Sequence, residues 1–234
     1  MNIRRAQAIV KPQRWSRYKY NLTTNLGENG TRISGCPAHI ALSRKIAGEG
    51  MVLLENNGLL PLQAGTRVAL FGAGTMEYIQ GGGGSGMVHP AYVRNLYEGF
   101  LEKAPQISVY EPLTRFYYDY ASSRIENLGA TEILPEPVVP AQLLADAAEN
   151  AEVAILVIHR YSGEGWDRSA EKGDFYLTDE EEKLVQDVTG AFTHTVVVLN
   201  VGGMVDTAWI RENPKIDGAL LAWQAGMEGG LAIA

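Results

Sequence analysis

Residues 153–158 read Val-Ala-Ile-Leu-Val-Ile, and residues 162–168 read Ser-Gly-Glu-Gly-Trp-Asp-Arg. The first stretch is an unbroken apolar run, the pattern of a strand covered on both faces. The second follows it, just past the strand's C-terminal end, where open α/β sheets carry their functional groups. Three more segments read as strands of the same kind: 67–72 (RVALFG), 195–201 (TVVVLNV) and 218–223 (GALLAW). Residues 107–110 add a short one. Helical patterns separate them, and this β–α alternation predicts an α/β fold. Its sheet is mostly parallel and covered by helices on both faces.

The helices are read from apolar spacing and end signals. Ile40, Leu42, Ile46, Met51, Leu53 and Leu54 give a helical face over residues 37–56, which Asn56-Asn57-Gly58 stops. Further helices are expected over 92–103, 115–125, 141–148 and 205–212. Thr178-Asp179-Glu180-Glu181 matches a capping box that starts another, running to about Ala191. Glu228-Gly229-Gly230-Leu231-Ala232 opens a last helix at the end of the chain, leaving an apolar face without its cover. Residues 1–35 are polar and weakly periodic and read as an N-terminal arm. Residues 36–234 read as the α/β domain, truncated at the C-terminus.

The chain has 234 residues, 46% of them hydrophobic, enough for one sizeable core. Net charge is −7, with lysine and arginine dispersed, so nucleic acid is not the expected partner. Cys36 is the only cysteine, so neither an intrachain disulfide nor a cysteine zinc site forms. No apolar run approaches the length of a membrane span, and residues 1–17 lack a signal-peptide core. A cytoplasmic, membrane-independent protein is expected.

Several chemistries compete on residue pattern. Glu164, between two glycines, suits a general acid/base whose loop has backbone freedom; an exposed loop glutamate without a role is the competing reading. The glycine run 81–86 follows strand 67–72, but Gly72-Ala73-Gly74-Thr75-Met76-Glu77 lacks the third glycine of a dinucleotide fingerprint, and no Gly-Lys-Ser/Thr follows. A loop made for close approach to a neighbour fits better, and no cofactor is expected. Ser85 and Ser162 stand beside glycine without a Gly-x-Ser-x-Gly elbow. His39, His89, His159 and His194 have no metal-ligand spacing. Trp209 and Trp223 read as core, while Trp166 is a candidate sugar platform.

Taken together, six segments resemble glycoside hydrolase family 3, in its β-glucosidase-like branch. They are 41–62 (ALSRKIAGEGMVLLENNGLLPL), 68–86, 162–168 (SGEGWDR), 172–177 (KGDFYL), 197–203 (VVLNVGG) and 222–230 (AWQAGMEGG). The resemblance implies the α/β sandwich domain alone, lacking its final helix and strand, from an enzyme whose sandwich precedes its barrel. It implies a retaining hydrolase of β-glucosides, with Glu164 as acid/base; Trp166 and Arg168, beside it in sequence, are the candidate substrate contacts on residue pattern. The nucleophile is expected on a (β/α)8 barrel that no part of this chain matches, so Asp167 and Asp174 are not its substitutes. The 234 residues alone are expected to be inactive. A non-catalytic carbohydrate-binding or interaction module on the same fold is the alternative.

Overall fold

The computed structural model describes residues 35–84, 87–129, 132–165 and 167–234. The expected arm, Ser85 and Gly86 of the glycine run, and Trp166 lie outside the described residues. The chain divides between Leu42 and Ser43, and the architecture below is that of residues 43–234.

Six strands form one sheet: β1 (Val52–Asn56), β2 (Arg67–Phe71), β3 (Ser108–Val109), β4 (Val153–Arg160), β5 (His194–Val201) and β6 (Ile216–Leu221). Their order is β1-β6-β5-β4-β2-β3. All neighbours are parallel except β1, which runs antiparallel to β6 along the edge. The helices are α1 (Pro37–Gly50), α2 (Leu96–Glu102), α3 (Glu111–Ser122), α4 (Ala141–Asn150), α5 (Asp179–Ala191), α6 (Ala208–Glu212) and α7 (Gly229–Ile233).

Side chains of β4 alternate between two cores, as a doubly covered strand requires. Ala154, Leu156 and Ile158 pack with Leu113 and Tyr117 of α3, Ala147 of α4, Leu184 and Val188 of α5 and Ile210 of α6. Val153, Ile155 and Val157 face the other way, toward Leu96 and Phe100 of α2, with Leu60, Leu62 and Ile233 at the margin. The second face is thinly covered. A groove of about 200 Å³ remains there between Leu60, Phe100, Ile155, Val198 and Ile233.

The sequence reading misplaces one element and shifts others. The helix expected over 37–56 ends at Gly50, and Val52–Asn56 pairs with Gly218–Leu221 as a strand. A short Val-Leu-Leu run is ambiguous in period, and the free edge of β6 decides it. Asn56 ends the strand instead of a helix, its Oδ1 accepting the amides of Gly58 and Leu60 at 3.0 and 3.1 Å. Helix α2 starts at Leu96, later than read, because Asn95 caps it and Glu98 closes the capping box. Helix α3 starts at Glu111, earlier than read, with Pro112 in its first turn. The box at Thr178 forms as read. Among the described residues no helix is long and apolar enough to cross a membrane.

Strand order turns the sheet into a site. From β2 the chain moves outward to β3, then returns to lay β4, β5 and β6 on the other side of β2. The direction reverses between β2 and β4, and the C-terminal ends of such a pair leave a crevice for ligands.

Candidate active site

Two loops leave that switch point, and each carries one of the unusual sequence stretches. After β2 the chain makes a short 3-10 turn, Ala73–Thr75, and runs to the glycine stretch. After β4 it enters the loop bearing Glu164. The loops meet in a parallel bridge between Gly83 and Gly163.

Their approach explains the glycines. A Cβ on Gly83 would collide with the Tyr161 hydroxyl, and one on Gly82 would lie 2.8 Å from the Ser162 carbonyl oxygen. On the opposite side Gly202, just after β5, faces the same loop. A Cβ there would stand 2.6 Å from Ser162 Cβ and 2.5 Å from the amide end of Gln224. The Glu164 loop is thus held between two glycine stretches from neighbouring strands. The run 81–84 cradles a neighbouring loop, as its sequence suggested.

Glu164 is exposed, on a turn whose next residue, Gly165, has φ 84°. A Cβ on Gly84 would lie 3.3 Å from Glu164 Cβ and 3.4 Å from its Oε2, so the carboxylate stands directly beside the glycine run. Arg168 is mostly buried. Its Nη2 donates to Ser162 Oγ at 2.6 Å and its Nη1 to Asp174 Oδ1 at 2.5 Å. Asp174 also accepts the amide and hydroxyl of Ser169 through Oδ2, at 2.6 and 2.9 Å. Burial on its own raises the Asp174 carboxyl. The Ser169 amide, the Arg168 guanidinium and the Ser169 hydroxyl outweigh burial and hold it below its ordinary value. Gly82, Ser162, Gly163, Asp167, Arg168 and Gly202 line an open depression of about 400 Å³, with Gly203 and Gln224 completing the wall.

The surrounding loops are anchored by two residues that the sequence reading passed over. Arg160, buried at the end of β4, pairs with Glu181 through both Nη atoms at 2.7 and 2.6 Å. Its Nε and Nη2 also donate to the carbonyls of Asp174 and Tyr176. Asn200, fully buried in β5, accepts the Ile79 amide and donates to the carbonyls of Ile79 and Trp223. It ties the approach to the glycine run, the end of β5 and the segment after β6 together. A signal existed for both residues. An arginine ends the apolar run of β4, and an asparagine interrupts the β-branched run of β5.

The histidines and tryptophans separate by environment. His159 is buried, its Nε2 2.9 Å from Glu77 Oε2, and serves as structure. Trp209 packs against the larger core, as expected. Trp223 does not: it is 38% exposed and has φ 56°, because the chain turns sharply where β6 ends at Leu221. Among the described residues no group of three or more histidine, cysteine, aspartate or glutamate side chains is placed to hold a metal ion.

The geometry has relatives. The family profile described as the glycosyl hydrolase family 3 C-terminal domain matches residues 51–234. Beta-glucosidase A of Butyrivibrio fibrisolvens is 44% identical over 95% of this chain and 30% of its own length. The Beta-glucosidase of Ruminococcus albus is 32% identical over 84% of this chain and 21% of its own length. The structure of beta-glucosidase 3B from Thermotoga neapolitana in complex with glucose superposes with a TM-score of 0.79 at 37% identity. It covers 86% of this chain and 29% of that one. The chain therefore spans less than a third of the length of these relatives. It carries the six-stranded, mostly parallel α/β sandwich that they share, and it belongs to glycosyl hydrolase family 3.

Proposed function

We propose that this chain supplies the general acid/base of a retaining β-glycosidase acting on β-glucosides, with Glu164 as that residue. The observation that carries the reading is Glu164's place. It stands exposed at the switch point between β2 and β4, against the glycine run, and its neighbour Gly163 lines the open depression. Relatives named beta-glucosidase support the substrate class.

Retaining hydrolysis needs two carboxyl groups about 5–5.5 Å apart, one to protonate the leaving oxygen and one to attack the sugar. Asp174 does not suit the second role, because both its oxygens are occupied by Arg168 and Ser169. The nucleophile then comes from a (β/α)8 barrel outside residues 36–234, and docking of the two domains assembles the pair. Trp166 would offer the sugar an aromatic face, and Arg168 is one of the residues that line the open depression. The 234 residues on their own would not hydrolyse glucosides.

The test is a chimera in which this chain replaces the matching third of the Butyrivibrio enzyme. Glu164→Ala should slow aryl β-glucosides with poor leaving groups far more than those with good ones, and added azide should restore turnover. Equal slowing across leaving groups, without azide rescue, would remove Glu164 from this role. A wild-type chimera that binds glucosides yet never cleaves them would favour the non-catalytic module.

A further inference from the structure

We propose that Arg168 is the latch that positions the Glu164 loop, acting on catalysis through that loop and not through contact with the sugar. The proposal rests on the assignment of Glu164 as acid/base. Glu164 lies between Ser162 and Arg168, and one guanidinium spans the gap by holding Ser162 Oγ with Nη2 and Asp174 Oδ1 with Nη1. Both ends of the exposed turn are thereby tied to one planar group. A guanidinium makes two such bonds at fixed angles, whereas an ammonium acts as a point charge.

The latch is grounded in the core. Asp174 is fixed by Ser169, and its own carbonyl accepts Arg160 Nε at 3.1 Å. Arg160 is buried against Glu181 at the start of α5. A continuous series of contacts therefore runs from the capped helix through Arg160, Asp174 and Arg168 to Ser162. Arg168 packs beside Gly203, where a Cβ would stand 3.5 Å from its Nε, an ordinary contact. An exposed turn with a left-handed glycine has many conformations to lose on ordering. The latch removes that freedom before substrate arrives, which is how positioning lowers a barrier. One N–H on each Nη of Arg168 is engaged within the protein, so two of its five donors hold the loop.

Two measurements test this. In the full 234-residue chain, Arg168→Gln and Asp174→Asn should lower the NMR order parameters of the Gly163, Glu164 and Gly165 amides below about 0.6, the range of flexible backbone. Those of β4 should stay unchanged, and Arg168→Lys should fall between wild type and Arg168→Gln. Unchanged order in the loop of Arg168→Gln overturns the latch. In the chimera, Arg168→Gln should reduce kcat on poor leaving groups roughly tenfold or more, the worth of one hydrogen bond to a charged group. KM should hardly move. A raised KM with kcat intact would make Arg168 a substrate contact and also overturn the latch. A loosened loop together with a fully active Glu164→Ala chimera would instead sink the assignment of Glu164.

Discussion

Glu136 sits between Pro135 and Pro137 in a connector that reads as loop, yet its carboxyl is buried. Tyr117 Oη donates to it at 2.8 Å and the Ala73 amide at 2.7 Å. Burial pushes its pKa from 4.5 to about 7; the Ala73 and Tyr117 hydrogen bonds oppose the shift, and the charge of Glu181 adds to it. The folded state therefore holds this proton more tightly than the unfolded chain. Below pH 4.5 the stabilisation is fully present. As pH rises toward 7 the unfolded chain releases its proton first, and about 3 kcal/mol is lost. Urea midpoints should fall between pH 5 and pH 8, and Glu136→Gln should flatten that trend. The same slope in the variant would show that another group titrates. None of this is legible locally, because the partners of Glu136 lie 63 and 19 residues away.

Among the elements, α5 shows which features are readable in order along the chain. Its capping box joins residues three apart, Thr178 Oγ1 accepting the Glu181 amide at 3.1 Å, so four letters suffice to find it. The same Glu181 also takes the Arg160 guanidinium, and no short pattern announces that contact. The two roles differ in energy. Thr178→Ala should cost about 1 kcal/mol, the worth of a cap. Arg160→Met should cost about 3–5 kcal/mol, because it strands the Glu181 charge inside the protein. Equal losses in urea unfolding would mean that the pair contributes no more than the cap. Strand β1 is the converse case. Val52, Leu53 and Leu54 are all more than 40% exposed, so burial did not select the strand. Pairing with β6 did, and the helical reading failed because that partner lies far along the chain.

At the scale of the molecule, the sheet's two covers are unequal. Helices α3, α4, α5 and α6 close one face, whereas α2 and the short α7 leave a groove on the other. Adjacent residues of β4 test the difference. Leu156→Ala, in the well-covered core, should cost about 2–5 kcal/mol, with Ile155→Ala nearer the low end because its surroundings are already open. The reverse order would mean that the second face is the tighter core. Runs such as Val153–Ile158, the Thr178 box and the six family-like segments are properties of neighbouring letters. From them alone follow a mostly parallel α/β sandwich, a family, and Glu164 as the residue to examine. Folding decided the rest: the reversal between β2 and β4, the seating of Ser162 between Gly82 and Gly202, and the grip of Arg168 on Ser162 and Asp174. A hydrogen bond or helical turn between close residues is written in their spacing. A contact such as Asn200 with Ile79, 121 residues apart, exists only once strand order has brought its two ends together.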